Sequence, residues 1–485
     1  MNYKMIGRFL AQIVTIEALF LLPPLCISLV GGEQNAVRGF LLALAVMAAA
    51  AGLLFALCRG GGGRLFGAKE GLVCVSVGWF FLSLLGALPF WFSREIPRFV
   101  DAFFETVSGF TTTGSSILPA VEQLSRGILF WRSFTHWIGG MGVLVFLLAV
   151  TPSSKNGSGF TMHLLRAESP GPDVGKLVPQ IRKTATILYL IYIGLTILNI
   201  FFLLVGGMPL FDALCTAFGT AGTGGFGIKN DSMASYSPYL QNVCTVFMAL
   251  FGVNFSCYYL LLVGGVKNVL KDEELRLYVG IILVTILLIT WDIRGMYASL
   301  SEALHHAAFQ VSSIITTTGF ATTDFGLWPA FSRSILLGLM VVGACAGSTG
   351  GGLKCARVLL LFKSLRRNIH KVLHPQKVQA VRINGKVANE SVLENTNAYL
   401  AAYIIIVVLS TIAISLDSYD ITTNLSAVLS CFNNIGPGLE AVGPLYNFGG
   451  FSDISKLVLS LDMLAGRLEI FPILILFSRS TWFRK

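Results

Sequence analysis

Apolar runs long enough to cross a bilayer recur along this chain at 9–30, 39–58, 70–93, 127–150, 184–206, 238–265, 276–293, 333–360, 397–416 and 453–478. A spanning helix needs about 20 such residues. The pattern therefore predicts ten crossings, with both termini on one side of the membrane. After the first two runs, a shorter semi-polar stretch separates the members of each successive pair. These stretches read DAFFETVSGFTTTGSS (101–116), DALCTAFGTAGTGGFG (212–227), HAAFQVSSIITTTGFA (306–321) and TNLSAVLSCFNNIGPG (423–438). Each opens with a half-length helical pattern and ends in small or polar residues around a glycine. Internal recurrence of this kind marks a repeat architecture. It divides the chain into two N-terminal helices (1–69) and four repeats, at 70–183, 184–275, 276–395 and 396–485.

Composition agrees with an all-α membrane protein. The chain has 485 residues, 54% hydrophobic and 12% charged, with a mean hydropathy of +0.73, whereas soluble domains carry about 25% charged residues. The net charge of +10 would suit a nucleic-acid binder only if it formed a patch. Its lysines and arginines lie instead in the loops, and mostly on one side: Lys4 and Arg8, Arg59 to Lys69, Lys155 to Lys183, Lys267 to Arg276, Lys363 to Lys386 and Arg479 to Lys485. Positive-inside bias makes that side, and both termini, cytoplasmic. The first apolar run is too long for a signal peptide and lacks a convincing cleavage site, so it is read as a spanning helix. The nine cysteines show no C-x-x-C spacing and are read as small buried hydrophobes.

The four short stretches end, without gaps, in TTTGS, GTGGF, TTTGF and NNIGP, which sets Gly114, Gly225, Gly319 and Gly436 in register. Gly222 and Gly224 compete for the second of these places. Gly225 is chosen because TGGF then overlays TTGF, with Phe226 on Phe320. Unpaired backbone carbonyls are not tolerated against lipid, but they are where they line an internal watery path. The four non-helical ends are therefore expected to converge as one ring. Carbonyl rings replace the hydration shell of a dehydrated cation, glycine supplies the unusual dihedrals, and half-helix C-termini add partial negative charge. Ordinary glycine-rich turns would explain any single stretch, but four in matching positions favour the ring.

These endings, with WIGGMGVLVF (137–146), GACAGSTGGGLKCAR (343–357) and MLAGRLEIFPIL (463–474), resemble the Trk/Ktr superfamily of potassium transporters. More narrowly, the chain is similar to the membrane subunit of a bacterial Trk uptake system along almost its whole length. The resemblance implies four tandem helix, pore-loop, helix repeats around a pseudo-fourfold pore, preceded by two extra transmembrane helices, in the bacterial cytoplasmic (inner) membrane. It implies K+ as the transported ion, with no organic cofactor in this chain. It also implies a homodimer and a cytosolic nucleotide-binding regulatory subunit (TrkA-like). The filter positions carry over as Thr112, Thr113 and Gly114; Thr223, Gly224 and Gly225; Thr317, Thr318 and Gly319; and Asn434, Ile435 and Gly436. None of the four matches TVGYG in full, so weaker rejection of sodium than in a dedicated potassium channel is expected.

The eighth run is interrupted by GACAGSTGGGLK (343–354). Glycine costs a helix up to about 1 kcal/mol relative to alanine, so a continuous helix is not expected there, although small residues also serve close helix packing. In the family this stretch is an intramembrane loop below the filter. That implies a gate at Gly347, Ser348, Thr349, Gly350, Gly351, Gly352 and Lys354. Arg467 sits near the middle of the last run, where a lipid-facing charge is costly. It is expected either to pair with another helix or to project into the pore and hold the gate loop.

Other signals are discounted. GTGGFG (222–227) satisfies G-x-G-x-x-G but lacks a βαβ context, and GSTGGGLK lacks the G-K-[ST] ending of a phosphate loop. His136, His163, His305, His306, His370 and His374 form no catalytic constellation, and no enzyme is expected. The basic stretches 152–183 and 363–395, with Lys363, Arg366, Arg367 and Lys371, suit either a regulatory subunit or membrane lipid headgroups. Against potassium uptake stand a secondary transporter of another solute and a non-transporting membrane scaffold.

Overall fold

The computed structural model describes residues 3–58, 68–142, 181–377 and 379–482. Two N-terminal helical spans, Tyr3–Val30 and Gln34–Leu57, pack on the first repeat. Gly39 permits this contact, since a Cβ there would stand 2.8 Å from the Ser93 amide nitrogen and 2.9 Å from the Pro89 carbonyl oxygen. Glu33, between the two spans, accepts hydrogen bonds from the amides of Arg126 and Gly127 at 2.6 and 3.1 Å, capping the following repeat.

Each repeat supplies an outer helix, a half-length pore helix and an inner helix. The outer helices are long and apolar: Lys69–Phe92, Lys183–Val205, Glu273–Ile293 and Glu390–Asp417. The pore helices are Phe99–Phe110, Leu210–Gly222, Leu300–Ile315 and Ile421–Phe432. Polar caps start the last two, with Ser299 accepting from the Glu302 amide and Asp420 from the Thr422 and Thr423 amides. Such caps satisfy donors that no helical carbonyl reaches.

The inner helices correct the expectation of ten crossings of which the eighth alone is interrupted. Six spans among the described residues are continuous by length and composition, and the runs at 127–150, 238–265, 333–360 and 453–478 are not. The first inner helix, Arg126–Gly140, ends where Gly142 adopts a φ of 77°; residues 143–150 lie outside the described residues. The second breaks between Pro238–Phe251 and Phe255–Leu262, with a bend of 89°. The third stops at Val342 and resumes at Cys355, as the glycine run foretold. The fourth stops at Arg467, passes through Glu469 and Ile470 at φ of 61° and 65°, and resumes at Phe471. Arg467 is thus a helix terminus and not the middle of a span. At the second break, backbone of the third repeat replaces the helical ladder: the Phe255 amide donates to the Gly347 carbonyl at 3.1 Å, and the Gly252 carbonyl accepts from the Cys345 amide at 3.0 Å.

The cysteines other than Cys26 are buried, and Cys26 is exposed, which corrects that one position. After the third inner helix, a two-stranded hairpin (Arg382–Ile383 with Lys386–Val387) turns at Asn384 and Gly385. It docks on the start of the third outer helix, where Asn384 donates from Nδ2 to Asp272 at 2.7 Å and accepts from the Glu273 amide at 2.9 Å. The basic stretch 152–183 falls almost wholly outside the described residues.

Candidate functional site

The four pore helices end in the same way. At each C-terminus a residue enters the left-handed region: Thr112, Thr223, Thr317 and Asn434, with φ of 56°, 54°, 58° and 56°. The same two backbone hydrogen bonds accompany each of them. The Thr112 amide donates to Gly109 and the Thr113 amide to Ser108, at 3.1 and 2.8 Å. The pairs Thr223–Thr220 with Gly224–Gly219, Thr317–Ile314 with Thr318–Ser313, and Asn434–Cys431 with Ile435–Ser430 repeat the pattern. This is the Schellman ending of a helix, which ordinarily places glycine at the left-handed position. Three of the four residues here are β-branched, for which that conformation is an outlier costing about 1–3 kcal/mol. Such strain persists only where its surroundings enforce it. The enforcement is visible: the Asn434 side chain donates to Thr113 Oγ1 at 2.9 Å, and the Gly351 amide donates to Thr317 Oγ1 at 2.7 Å.

Two residues on, Gly114, Gly225, Gly319 and Gly436 also have positive φ, at 84°, 75°, 85° and 106°. Their neighbours close a circle. A Cβ on Gly114 would overlap the carbonyl oxygen of Gly224, one on Gly225 that of Thr318, and one on Gly319 that of Ile435, while one on Gly436 would lie 2.9 Å from that of Thr113. Each repeat's glycine faces the preceding residue's carbonyl on the next repeat, in the order one, two, three, four, one. The twelve residues that the sequence sets in register therefore meet about one axis. Above them a cavity of about 110 Å³ is lined by all four glycines together with Ser115 and Pro437.

Polar contacts hold the seams. Lys456 pairs with Asp101 at 2.6 Å, joining repeats four and one. Arg333 pairs with Glu440 at 2.7 Å between repeats three and four. The Met233 amide donates to the Ala321 carbonyl at 2.9 Å between repeats two and three. Arg132 pairs with Glu105 at 2.6 Å and donates to the Gly227 carbonyl at 2.8 Å, linking repeats one and two.

The glycine loop 343–354 lies directly beneath. A Cβ on Gly350 would approach the Thr316 carbonyl oxygen to 2.8 Å, and one on Gly351 would overlap that of Asn433. Thr349 donates from Oγ1 to the Phe251 carbonyl at 3.2 Å. Lys354, buried and at a φ of 73°, folds its ammonium back onto the Gly350 carbonyl. Arg467 donates to the Thr349 carbonyl at 3.0 Å and to the carbonyls of Gly139 and Gly140, the latter at 2.8 Å. It thereby ties the fourth inner helix to the loop and to the end of the first inner helix.

Sequence reasoning missed several residues that shape this site. Glu274 accepts from the amides of Ala346 and Ala356, at 2.6 and 3.0 Å, and so anchors both ends of the loop. Arg357 pairs with Glu469 and lies 3.9 Å from the Tyr399 ring centroid. Arg132 and Arg357 fall within apolar runs and so escape a tally of loop charges, yet a charge inside an apolar run is itself a signal. In the basic stretch after the third inner helix, Lys363 is engaged by Glu273 and Arg367 by Glu390, while Arg366 and Lys371 are exposed. Among the described residues no cluster of His, Cys, Asp or Glu could hold a metal ion.

A closed circle of four covalently linked pore loops, each followed by an inner helix that stops short of its apolar run, defines a multi-pass membrane protein of the pore-loop class. The chain belongs to the TrkH family of cation transport proteins, whose family model matches residues 34–482. It is 36% identical over 489 residues to the Trk system potassium uptake protein TrkH of Salmonella typhimurium, covering 99% of this chain and 100% of that one. It is 35% identical over 490 residues to the TrkH of Escherichia coli strain K12, with the same coverage. Its fold matches the crystal structure of the potassium transporter TrkH from Vibrio parahaemolyticus with a TM-score of 0.89, at 30% identity and over 100% of both chains. These relatives are transport proteins, which bears out a transporter rather than an enzyme.

Proposed function

We propose that this chain carries potassium into a bacterial cell across the cytoplasmic membrane, and that the circle of Thr113, Gly224, Thr318 and Ile435 carbonyls is the place where the ion sheds its water. The observation that carries this reading is the head-to-tail order in which each filter glycine faces the next repeat's carbonyl. Glycine at those four positions leaves room for a neighbouring peptide oxygen, and oxygens held at fixed spacing repay the dehydration of one size of cation better than another. Pore-helix C-termini beneath the ring add partial negative charge where the ion waits.

The loop 347–352 with Lys354 is the gate in this reading. It lies in the path below the ring, and its hydrogen bonds to Arg467 and Thr317 would have to break for an ion to pass. The positive charge of Arg467 raises the barrier to a cation at the same depth. Both termini are cytoplasmic, the chain pairs with a second copy, and a nucleotide-binding regulatory subunit meets the basic cytoplasmic surface that includes Arg366 and Lys371. Sodium rejection is weaker than in a dedicated potassium channel, because fewer ordered carbonyl rings line the path.

Purified protein in liposomes, with potassium, rubidium, sodium and lithium fluxes compared with and without the regulatory subunit, tests the reading. Potassium and rubidium should pass in preference to sodium and lithium. Equal fluxes for all four ions, or none above empty liposomes even with the regulatory subunit, would overturn it.

A further inference from the structure

The middle residue of the filter triplet carries a side chain in three repeats, as Thr113, Thr318 and Ile435, and none in the second, where it is Gly224. The residue two places earlier follows the same rule in part. Thr111 and Thr316 pair their hydroxyls with Thr113 and Thr318, both at 2.8 Å, and so brace the first and third filter strands from behind. The second strand has Gly222 and Gly224 at these places and no such brace of its own.

The space behind Gly224 is filled from another repeat. The imidazole of His136, on the first inner helix, lies so close that a Cβ on Gly224 would stand 2.6 Å from Cδ2 and closer still to Cγ and Nδ1. Gly224 is not among the glycines with positive φ, so space and not backbone conformation excludes a side chain there. His136 is fully buried, and both ring nitrogens are used: Nδ1 lies 2.8 Å from the Gly109 carbonyl oxygen, and the Phe226 amide donates to Nε2 at 3.2 Å. A carbonyl only accepts and an amide only donates, so the ring is neutral with its proton on Nδ1. Gly109 belongs to the first pore helix, and Phe226 follows Gly225 in the second filter strand. The Phe226 ring packs on the imidazole at 4.2 Å between centroids and on the Arg132 guanidinium at 3.5 Å.

We infer that His136 is the positioning residue of the second filter strand: its imidazole stands in, from the neighbouring repeat, for the side chain that Gly224 lacks, and thereby sets the position of the Gly224 carbonyl that the ion meets. The inference rests on the potassium-filter reading above. It makes the filter's selectivity depend on a side chain that lies outside the filter sequence.

The test measures the potassium-to-sodium permeability ratio of the full chain in liposomes for the parent, His136→Ala, His136→Phe, Gly224→Thr and the double variant His136→Ala/Gly224→Thr. Loss of one or two buried hydrogen bonds corresponds to a fall of about three- to tenfold in the ratio, expected for His136→Ala and for His136→Phe, which keeps a ring without its nitrogens. Gly224→Thr alone should fall at least as far, because the new side chain overlaps the imidazole. In the double variant the threonine takes the vacated space, as Thr113 and Thr318 do in their repeats, and the ratio should recover above both single variants. A purely structural role for the histidine gives no such reciprocal rescue. A parental ratio in His136→Phe, or a double variant no better than its parts, overturns the inference. Should His136→Ala fail to assemble, His136→Phe and the double variant still decide. A parent chain with no preference for potassium refutes the filter reading itself, whereas a selective parent with equally selective His136 variants refutes only the role of the histidine.

Discussion

Arg467 donates from its guanidinium to the Thr349 carbonyl at 3.0 Å, so the end of the last inner helix is fastened to the loop that lies under the ring of pore-loop carbonyls. Hydrogen bonds to a charged group contribute about 1.5–3 kcal/mol, and 1.4 kcal/mol is a factor of ten in an equilibrium. Replacing Arg467 with alanine should therefore raise cation flux by about tenfold or more in a correctly assembled protein. Unchanged flux in liposomes at equal protein density would rule out its part in closing the pore. Lysine keeps the charge but not the planar fork of donors and should fall between the two.

Glu274 holds the same loop from the start of the third outer helix, through the amides of Ala346 and Ala356. In Glu274→Ala both donors lose their acceptor, and the closed arrangement weakens by about 1–3 kcal/mol. The expected outcome is elevated potassium flux, read by rubidium uptake, together with faster proteolysis near residues 343–356.

Gly225→Ala and Gly194→Ala make a matched pair. Gly225 has a positive φ, and a Cβ there would strike the Thr318 carbonyl; Gly194, on the second outer helix, has nothing within 4 Å. Alanine at 225 adds about 1–2 kcal/mol of backbone strain and displaces a carbonyl of the ring, so potassium flux or its preference over sodium should collapse. Alanine at 194 should leave transport unchanged and raise thermal stability by up to about 1 kcal/mol. Equal transport by the two variants would remove the steric basis of the ring.

Asp420 caps the fourth pore helix by accepting from the Thr422 and Thr423 amides, at 3.0 and 3.1 Å. The Thr423 hydroxyl, followed by these amides, holds its carboxyl below the ordinary carboxylate range. Because the folded-state value is depressed, the cap's contribution is present above the unfolded carboxylate range and is lost as pH falls through the lower folded value. Asp420→Ala should cost about 1 kcal/mol at neutral pH, and the difference from the parent should shrink on acidification below about pH 4. Thermal unfolding in detergent across that range checks both the size and the sign.

Much of the fold was legible in the chain. The spacing of apolar runs gave the two leading helices and the fourfold plan, because a helix's need to match the hydrocarbon thickness is written in local hydropathy. The glycine register was legible for a similar reason: Gly114, Gly225, Gly319 and Gly436 follow their pore helices at one fixed distance, and a left-handed backbone two residues before a positive-φ glycine is a short-range requirement.

The breaks in the inner helices after Gly140, Phe251 and Arg467 were not legible, since those runs are apolar enough to look continuous. The break after Phe251 meets backbone of the third repeat, and the end at Arg467 is held by that side chain's reach to the Thr349 carbonyl, contacts that no local pattern reports. The partners of Arg467, Glu274 and His136 were hidden for the same reason. The sequence by itself determined which segments enter the membrane and where the four pore loops and the third inner helix must leave helical geometry, because solvation and backbone sterics act on neighbouring residues. Only the tertiary structure decided which carbonyl faces which glycine and which side chain fills the gap behind Gly224, because contacts between residues far apart in the chain depend on how the four repeats close upon one another.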